Sequence, residues 1–277
     1  MNTTEKNNRA KRNLTLKLAL EKTFSRELVS YFNEIRKDVV SFYTATGLLI
    51  NADVYQSKTE ILIERHYKRV IKNFINEGRY SYRKSLEVKG IEYKQEQEDE
   101  DEKIKATSVL IALAFVETIL QKRASQLIET TSDNIKDAVK RATEKAREYG
   151  TKINEEFNKG LTRTFKGRQA MIALTETQFM AERAKNIEAS VISRNGNVDP
   201  SSINDGIVVG NPDVKKEWAA VLDEKTRFSH AVADGQVKGM NDPYIVNGEH
   251  MMYPGDTSMG ASLENIINCR CSSLYGV

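Results

Sequence analysis

One histidine and two cysteines near the end of the chain, His230, Cys269 and Cys271, are the residues whose types and spacing could do chemistry. On a strand, Cys269 and Cys271 project to the same face, because side chains repeat every two residues, so two thiolates could meet one zinc ion with His230 as a third ligand. A fourth ligand would then come from His250, Asp223 or Asp256. Two other chemistries fit the same residues. Free cysteines are commonly buried, and the pair could be metal-free packing. Alternatively, one thiol could be a nucleophile with His230 as its base and an aspartate as orienter, although neither a nucleophile elbow nor a phosphate-cradling glycine loop accompanies it.

Rare residue types crowd around this set. From Trp218 onward stand the only tryptophan, two of the three histidines, both cysteines and two of the four prolines. The preceding four-fifths is mostly Lys, Glu, Ala, Asn, Ile, Leu and Thr, the material of exposed helices. Trp218 reads as the anchor of a small core. Arg227 could hold a phosphate or carboxylate bidentately, but a structural pair with Asp223, one helical turn before it, is the simpler expectation.

The turn chemistry is dense. Asp234-Gly235, Asn241-Asp242-Pro243, Asn247-Gly248 and Pro254-Gly255-Asp256 punctuate the segment, and Asn247-Gly248 between short apolar runs predicts a hairpin. A short helix over 213–222 carrying Trp218, a second from Met259 to about Asn265 capped by Asp256 or Ser258, and a closing strand over 266–275 complete an α+β domain.

Helical spacing dominates what precedes. Apolar residues at intervals of three or four predict helices from Leu14 to about Thr46, stopped by Gly47, and from Asp53 to Asn76, stopped by Gly78. Further helices are expected over 104–128, from Ser132 or Asp133 to Tyr149-Gly150, and after Gly167. On the last, Gln178, Glu182 and Lys185 form a narrow polar stripe, and Glu176 is either a boundary charge, a partner of Arg183, or a group that reaches a neighbouring element. Residues 80–93 have no clear pattern, the acidic run 96–102 reads as solvated surface, and His66 falls in a helical stripe. The expected fold is mainly α, with an elongated helical domain over 1–192, a linker with a short strand at 207–209 within 193–212, and an α+β domain over 213–277.

Net charge is close to balance at +3, but Lys6, Arg9, Lys11, Arg12, Lys17 and Lys22 make the start of the chain a cationic arm able to meet phosphates without base reading. The longest apolar stretch, 109–116, is short of a membrane span, and the first residues lack the pattern of a signal peptide. No membrane partner is expected, and free cysteines suit a reducing compartment.

Four ordered blocks at compact spacing carry a resemblance. They are Trp218, Asp223, Thr226, Arg227 and His230; Asp234, Gly235 and Gln236; Asn247 and Gly248 followed by Pro254, Gly255 and Asp256; and Asn268, Cys269 and Cys271 within the terminal NCRC. The C-terminal region resembles the phage Mu F-like minor head proteins, a phage head morphogenesis family. Residues 172–177 are similar to that family's Ala-Arg-Thr-Glu-Thr run, from which Leu174 departs. The resemblance implies a minor capsid protein in the virion head, present in the host cytoplasm during assembly. It also implies docking near the portal vertex to portal, capsid or scaffold proteins, and contact with DNA during packaging or exit. An enzyme acting on phosphodiester or ribosyl groups through His230, Arg227 and the cysteines is the alternative.

Overall fold

The computed structural model of the protein describes residues 3–88, 98–196, 198 and 209–276. Four long helices lead, α1 (Thr3–Thr46), α2 (Gln56–Val88), α3 (Glu98–Tyr149) and α4 (Ile153–Ile192), with a 3₁₀ turn at Ala52–Tyr55 before α2. Short elements follow: β1 (Lys215–Ala219), α5 (Phe228–Val232), β2 (Val237–Gly239), β3 (Tyr244–Val246), β4 (Glu249–Met251), α6 (Leu263–Ile266) and β5 (Ser272–Tyr275). The fold is mainly α with a small α+β C-terminal part.

Glycine ends two helices and fails to end another. Gly47 and Gly150 adopt φ of 70° and 68° and donate back to Tyr43 and Ala146, closing α1 and α3 as left-handed caps. Gly78, an expected stop, lies inside α2. A Cβ there would stand 3.2 Å from Cβ of Glu188 on α4, so this glycine permits close packing. The two helices expected over 104–149 are one, and so are the segments on either side of Gly167. At the first of these junctions Thr131 is buried, bonding the Leu127 carbonyl at 2.7 Å and accepting from Arg168 at 3.0 Å. The acidic run enters α3 from Glu98; its earlier residues, and 89–93, lie outside the described residues.

By compactness the chain forms two units, along a line different from the segment 193–212. The first gathers the described residues of α1 through Leu20, of Tyr67–Val116 and of Leu174 onward; the second holds Glu21–His66 and Glu117–Ala173. The second unit is wholly helical. Its core takes Phe24, Leu28, Phe32, Ile35 and Val39 at the predicted spacing, with Phe32 stacked on Phe165 and Phe24 stacked on His66 at a 3.8 Å centroid separation. His66 is thus packing.

In the first unit, β1 is the centre of an antiparallel sheet ordered β2-β1-β5, with Trp218 opposite Ser273 and Glu217 opposite both Leu274 and Val237. The expected helix over 213–222 is therefore a strand. Lys, Glu and Ala favour helix locally, but pairing on two sides and burial of Lys216 through Ala219 override that preference. The hairpin forms as expected: Asn247 and Gly248 take φ of 52° and 76° between β3 and β4. The helix expected from Met259 is a single turn, α6, with Ser262 at its N-cap position. The closing strand starts only at Ser272. Of the strand expected at 207–209, only Val209 is described, and it lies in no strand.

Within α3, one 18-residue window is apolar enough by length and composition to cross a membrane, and 28% of it is buried.

Candidate functional site

The His230 imidazole reaches its place on α5, which packs its buried side against Trp218 of β1; the two rings meet edge-on at 5.7 Å. The residues before β5 arrive at the same point. Asn268 takes φ of 57°, turning the chain so that Cys269 and Cys271 both face inward. Nδ1 of His230 lies 3.6 Å from the Cys269 sulfur and 3.4 Å from that of Cys271. All three side chains are buried, and their ligand atoms lie within 4.8 Å of one another. The same-face argument thus reached the right geometry through a turn, not through a strand.

The thiols differ electrically. A hydrogen bond from Cys271, with His230 alongside, holds Cys269 well below the ordinary thiol range despite its burial. The same pairing, with desolvation, pushes Cys271 well above it. A narrow opening above it is lined by Val221, Thr226, Arg227, Asn268 and Arg270 among others, with no carboxylate in the lining among the described residues.

None of the three residues expected to complete a ligand set joins this group. His250 is exposed on β4. Asp256 is buried, its carboxylate accepting from the Met252 and Ser258 amides at 2.9 Å each. Asp223 forms a two-pronged pair with Arg270, one contact at 2.6 Å, and that guanidinium holds its carboxyl far below the usual range. The expected Asp223–Arg227 pair is therefore corrected. Arg227 instead donates to the Ile267 carbonyl, while Asp223 also accepts from the Thr226 hydroxyl at 3.2 Å.

The other motif residues close turns. Asp234 accepts the Ala220 amide at 2.8 Å, and Gly235, at φ of 79°, donates to the Trp218 carbonyl at 2.9 Å. Gln236 pairs with Ile245 as a strand neighbour would, accepting its amide at 2.8 Å and donating to its carbonyl at 3.1 Å. Pro254 accepts from Gln178 at 3.2 Å, and Gly255 takes φ of 87° against that side chain. Trp218 is fully buried with Ala220, Ala233, Tyr244, Val246, Met251 and both cysteines.

Residues far back in the chain hold this segment, a role that the polar stripe of α4 and the cationic arm did not reveal in the sequence. Glu182 receives Lys17 at 2.6 Å and Lys185 at 2.8 Å, and its second oxygen accepts the Ser273 amide at 2.8 Å. Lys17 also donates to the Cys271 carbonyl at 2.9 Å, and Gln178 to the same oxygen at 2.8 Å. The polar stripe of α4 is buried. It satisfies the backbone of β5, the end strand of its sheet. A signal existed: Lys17 falls at helical spacing from Leu20 and Phe24, inside the apolar stripe of α1.

The cationic arm is largely engaged within the protein. Lys6 pairs with Glu217 and Asp234, Arg9 donates to the Tyr275 carbonyl at 3.0 Å, and Arg12 pairs with Glu77 at 2.6 Å. Lys11 and Lys22 are exposed. On α4, Glu176 accepts from the Tyr67 phenol, while Arg183 lies over the Phe115 ring at 4.5 Å and bonds Asn186.

Sequence reasoning also passed over two apolar side chains on the outer face of α5, Phe228 at 85% and Val232 at 68% exposure. They sit four residues apart, on one face of a helix whose other face carries His230. Comparison with protein-family models, with curated proteins and with solved structures finds no match.

Proposed function

We propose that this protein is a minor head protein of phage head morphogenesis, acting by docking its C-terminal part to portal, capsid or scaffold proteins near the portal vertex. The observation that carries this reading is the exposed pair Phe228 and Val232 beside the motif residues. Water-exposed apolar side chains at adjacent positions on one helix face favour burial against a partner. Leu222, 59% exposed at a φ of 56°, adds to the same short stretch of chain.

The motif residues support a building role. Asp234, Gln236, Asp256 and Asp223 each hold backbone or a neighbouring charge in a fixed turn. The enzyme alternative has less behind it. His230 turns its one near nitrogen to two buried sulfurs, and no acid lines the opening among the described residues. Contact with DNA has less support as well, since Lys6, Arg9, Arg12 and Lys17 have internal partners.

The test is co-expression with the portal and major shell proteins of the same phage, followed by sedimentation of assembled heads. The wild-type chain is expected in the head fraction. A Phe228→Ser/Val232→Ser variant, which melts at the same temperature because those side chains touch water, is expected to stay in the supernatant. Absence of the wild-type chain from heads, or equal recovery of the variant, would contradict the reading.

A further inference from the structure

We infer that His230, Cys269 and Cys271 form a zinc site, with a water molecule from the opening above them as the fourth ligand. A neutral imidazole nitrogen offers either one hydrogen or one lone pair, yet two sulfurs converge on Nδ1 at 3.6 and 3.4 Å. As a hydrogen-bonding group Nδ1 can serve only one of them, the two sulfurs also pairing with each other. As the edges of a coordination polyhedron both distances are satisfied together: zinc bonds of about 2.3 Å to sulfur and about 2.0–2.1 Å to nitrogen, at tetrahedral angles, give a nitrogen–sulfur edge of about 3.6 Å.

The surroundings agree. Gln178 lies behind the cluster with its amide nitrogen 3.9 Å from the Cys269 sulfur, the position of an outer-shell donor to a metal-bound thiolate. Its place is fixed by two carbonyls, those of Cys271 and Pro254. Arg227 and Arg270 border the opening, and Arg270, besides its pair with Asp223, attracts the two sulfurs as thiolates. On coordination both sulfurs bind as thiolates, any thiol proton leaving to solvent, and Nδ1 gives its lone pair while Nε2, buried with no hydrogen-bond partner among the described residues, keeps the hydrogen. The ion, two thiolates and neutral imidazole sum to no net charge, which suits a buried position. The metal would tie α5 to the chain leading into β5, cross-linking the two ends of the motif segment.

The experiment uses the full chain purified without affinity metals or chelators. Elemental analysis is expected to find about one zinc per chain. Replacement by cobalt(II) is expected to give thiolate-to-cobalt charge transfer in the near ultraviolet and the strong visible bands of a four-coordinate ion. A chelator should lower the melting temperature, and added zinc should restore it. The Cys269→Ser/Cys271→Ser variant should lose zinc and the charge-transfer band, its far-ultraviolet helicity reporting whether the long helices persist. If that variant does not fold, the wild-type cobalt spectrum and chelator reversal decide the matter alone. Folded wild-type protein that carries no zinc and binds cobalt without charge transfer would overturn the inference. So would a mass two hydrogens low, marking a Cys269–Cys271 disulfide. These readouts do not involve heads, so a failed zinc site and a failed docking role are distinguishable.

Discussion

Lys216 shows what a single buried charge does in this fold. It lies on β1 with no exposure, donates to the Met252 carbonyl at 2.8 Å and sits 5.1 Å over the Tyr244 ring. Burial lowers its pKa from 10.5 to about 7, with Asp256 and Asp242 offsetting part of the effect. Between those two values the unfolded chain holds a proton that the folded chain has released, so stability rises with pH across that window. Lys185, lowered by burial to about 8, adds to the rise in its upper part. Unfolding free energies from denaturant titration are therefore expected to increase from pH 7 to pH 9, by at most about 1.4 kcal/mol per pH unit for each proton involved. Lys216→Met should rise less over the same interval. An equal rise in both proteins would show that Lys216 does not titrate as its burial requires. The sequence places a lysine here without distinguishing it from its neighbour Lys215, because alternation of faces is visible only once 213–222 is known to be a strand.

At the scale of elements, α4 and β5 are joined by one carboxylate. Glu182 is completely buried between Lys17 and Lys185 and also accepts a β5 amide. Those lysines hold its pKa below the ordinary value against the opposing effect of burial. Removing one partner of a buried ionic set leaves the others charged and unpaired, at a cost of about 3–5 kcal/mol. Glu182→Gln should lose stability on that scale in urea unfolding, whereas Glu155→Gln, at an exposed pair with Lys152, should change it little. Similar midpoints for the two variants would refute the role given to Glu182.

These elements also mark the limit of what sequence could tell. The core stripes of α1 and the Asn247-Gly248 hairpin followed directly from periodicity and turn chemistry. Gly78 did not, because a helix accepts an interior glycine for about 1 kcal/mol when a neighbour needs the space, and that neighbour, Glu188, is more than a hundred positions away. The strand at Trp218 was concealed for the same reason. Its partners are distant in the chain, and locally its residues favour helix. In the candidate site, His230, Cys269 and Cys271 were legible as a set, while Arg270 as the partner of Asp223 was not, since the two are 47 residues apart.

For the molecule as a whole, the C-terminal motif segment belongs to one compact unit with the start of α1, part of α2 and α3, and the end of α4. The docking reading depends on that membership, because Phe228 and Val232 make a defined surface only if the turns beneath them are held. Those turns are held from within by Asp234, Asp256 and the cysteine–histidine cluster. At β5 the same segment is held by Lys17, Gln178, Glu182 and Lys185. Amide hydrogen exchange at Ser273 tests this membership most directly, since its N–H is bound to the Glu182 carboxylate of α4 at 2.8 Å. The account predicts exchange as slow as that of the most protected amides of α4 in the wild-type protein, and much faster exchange in Glu182→Gln. Rapid exchange at Ser273 in the wild-type protein would mean that the motif segment is a loosely attached tail, and would contradict the account.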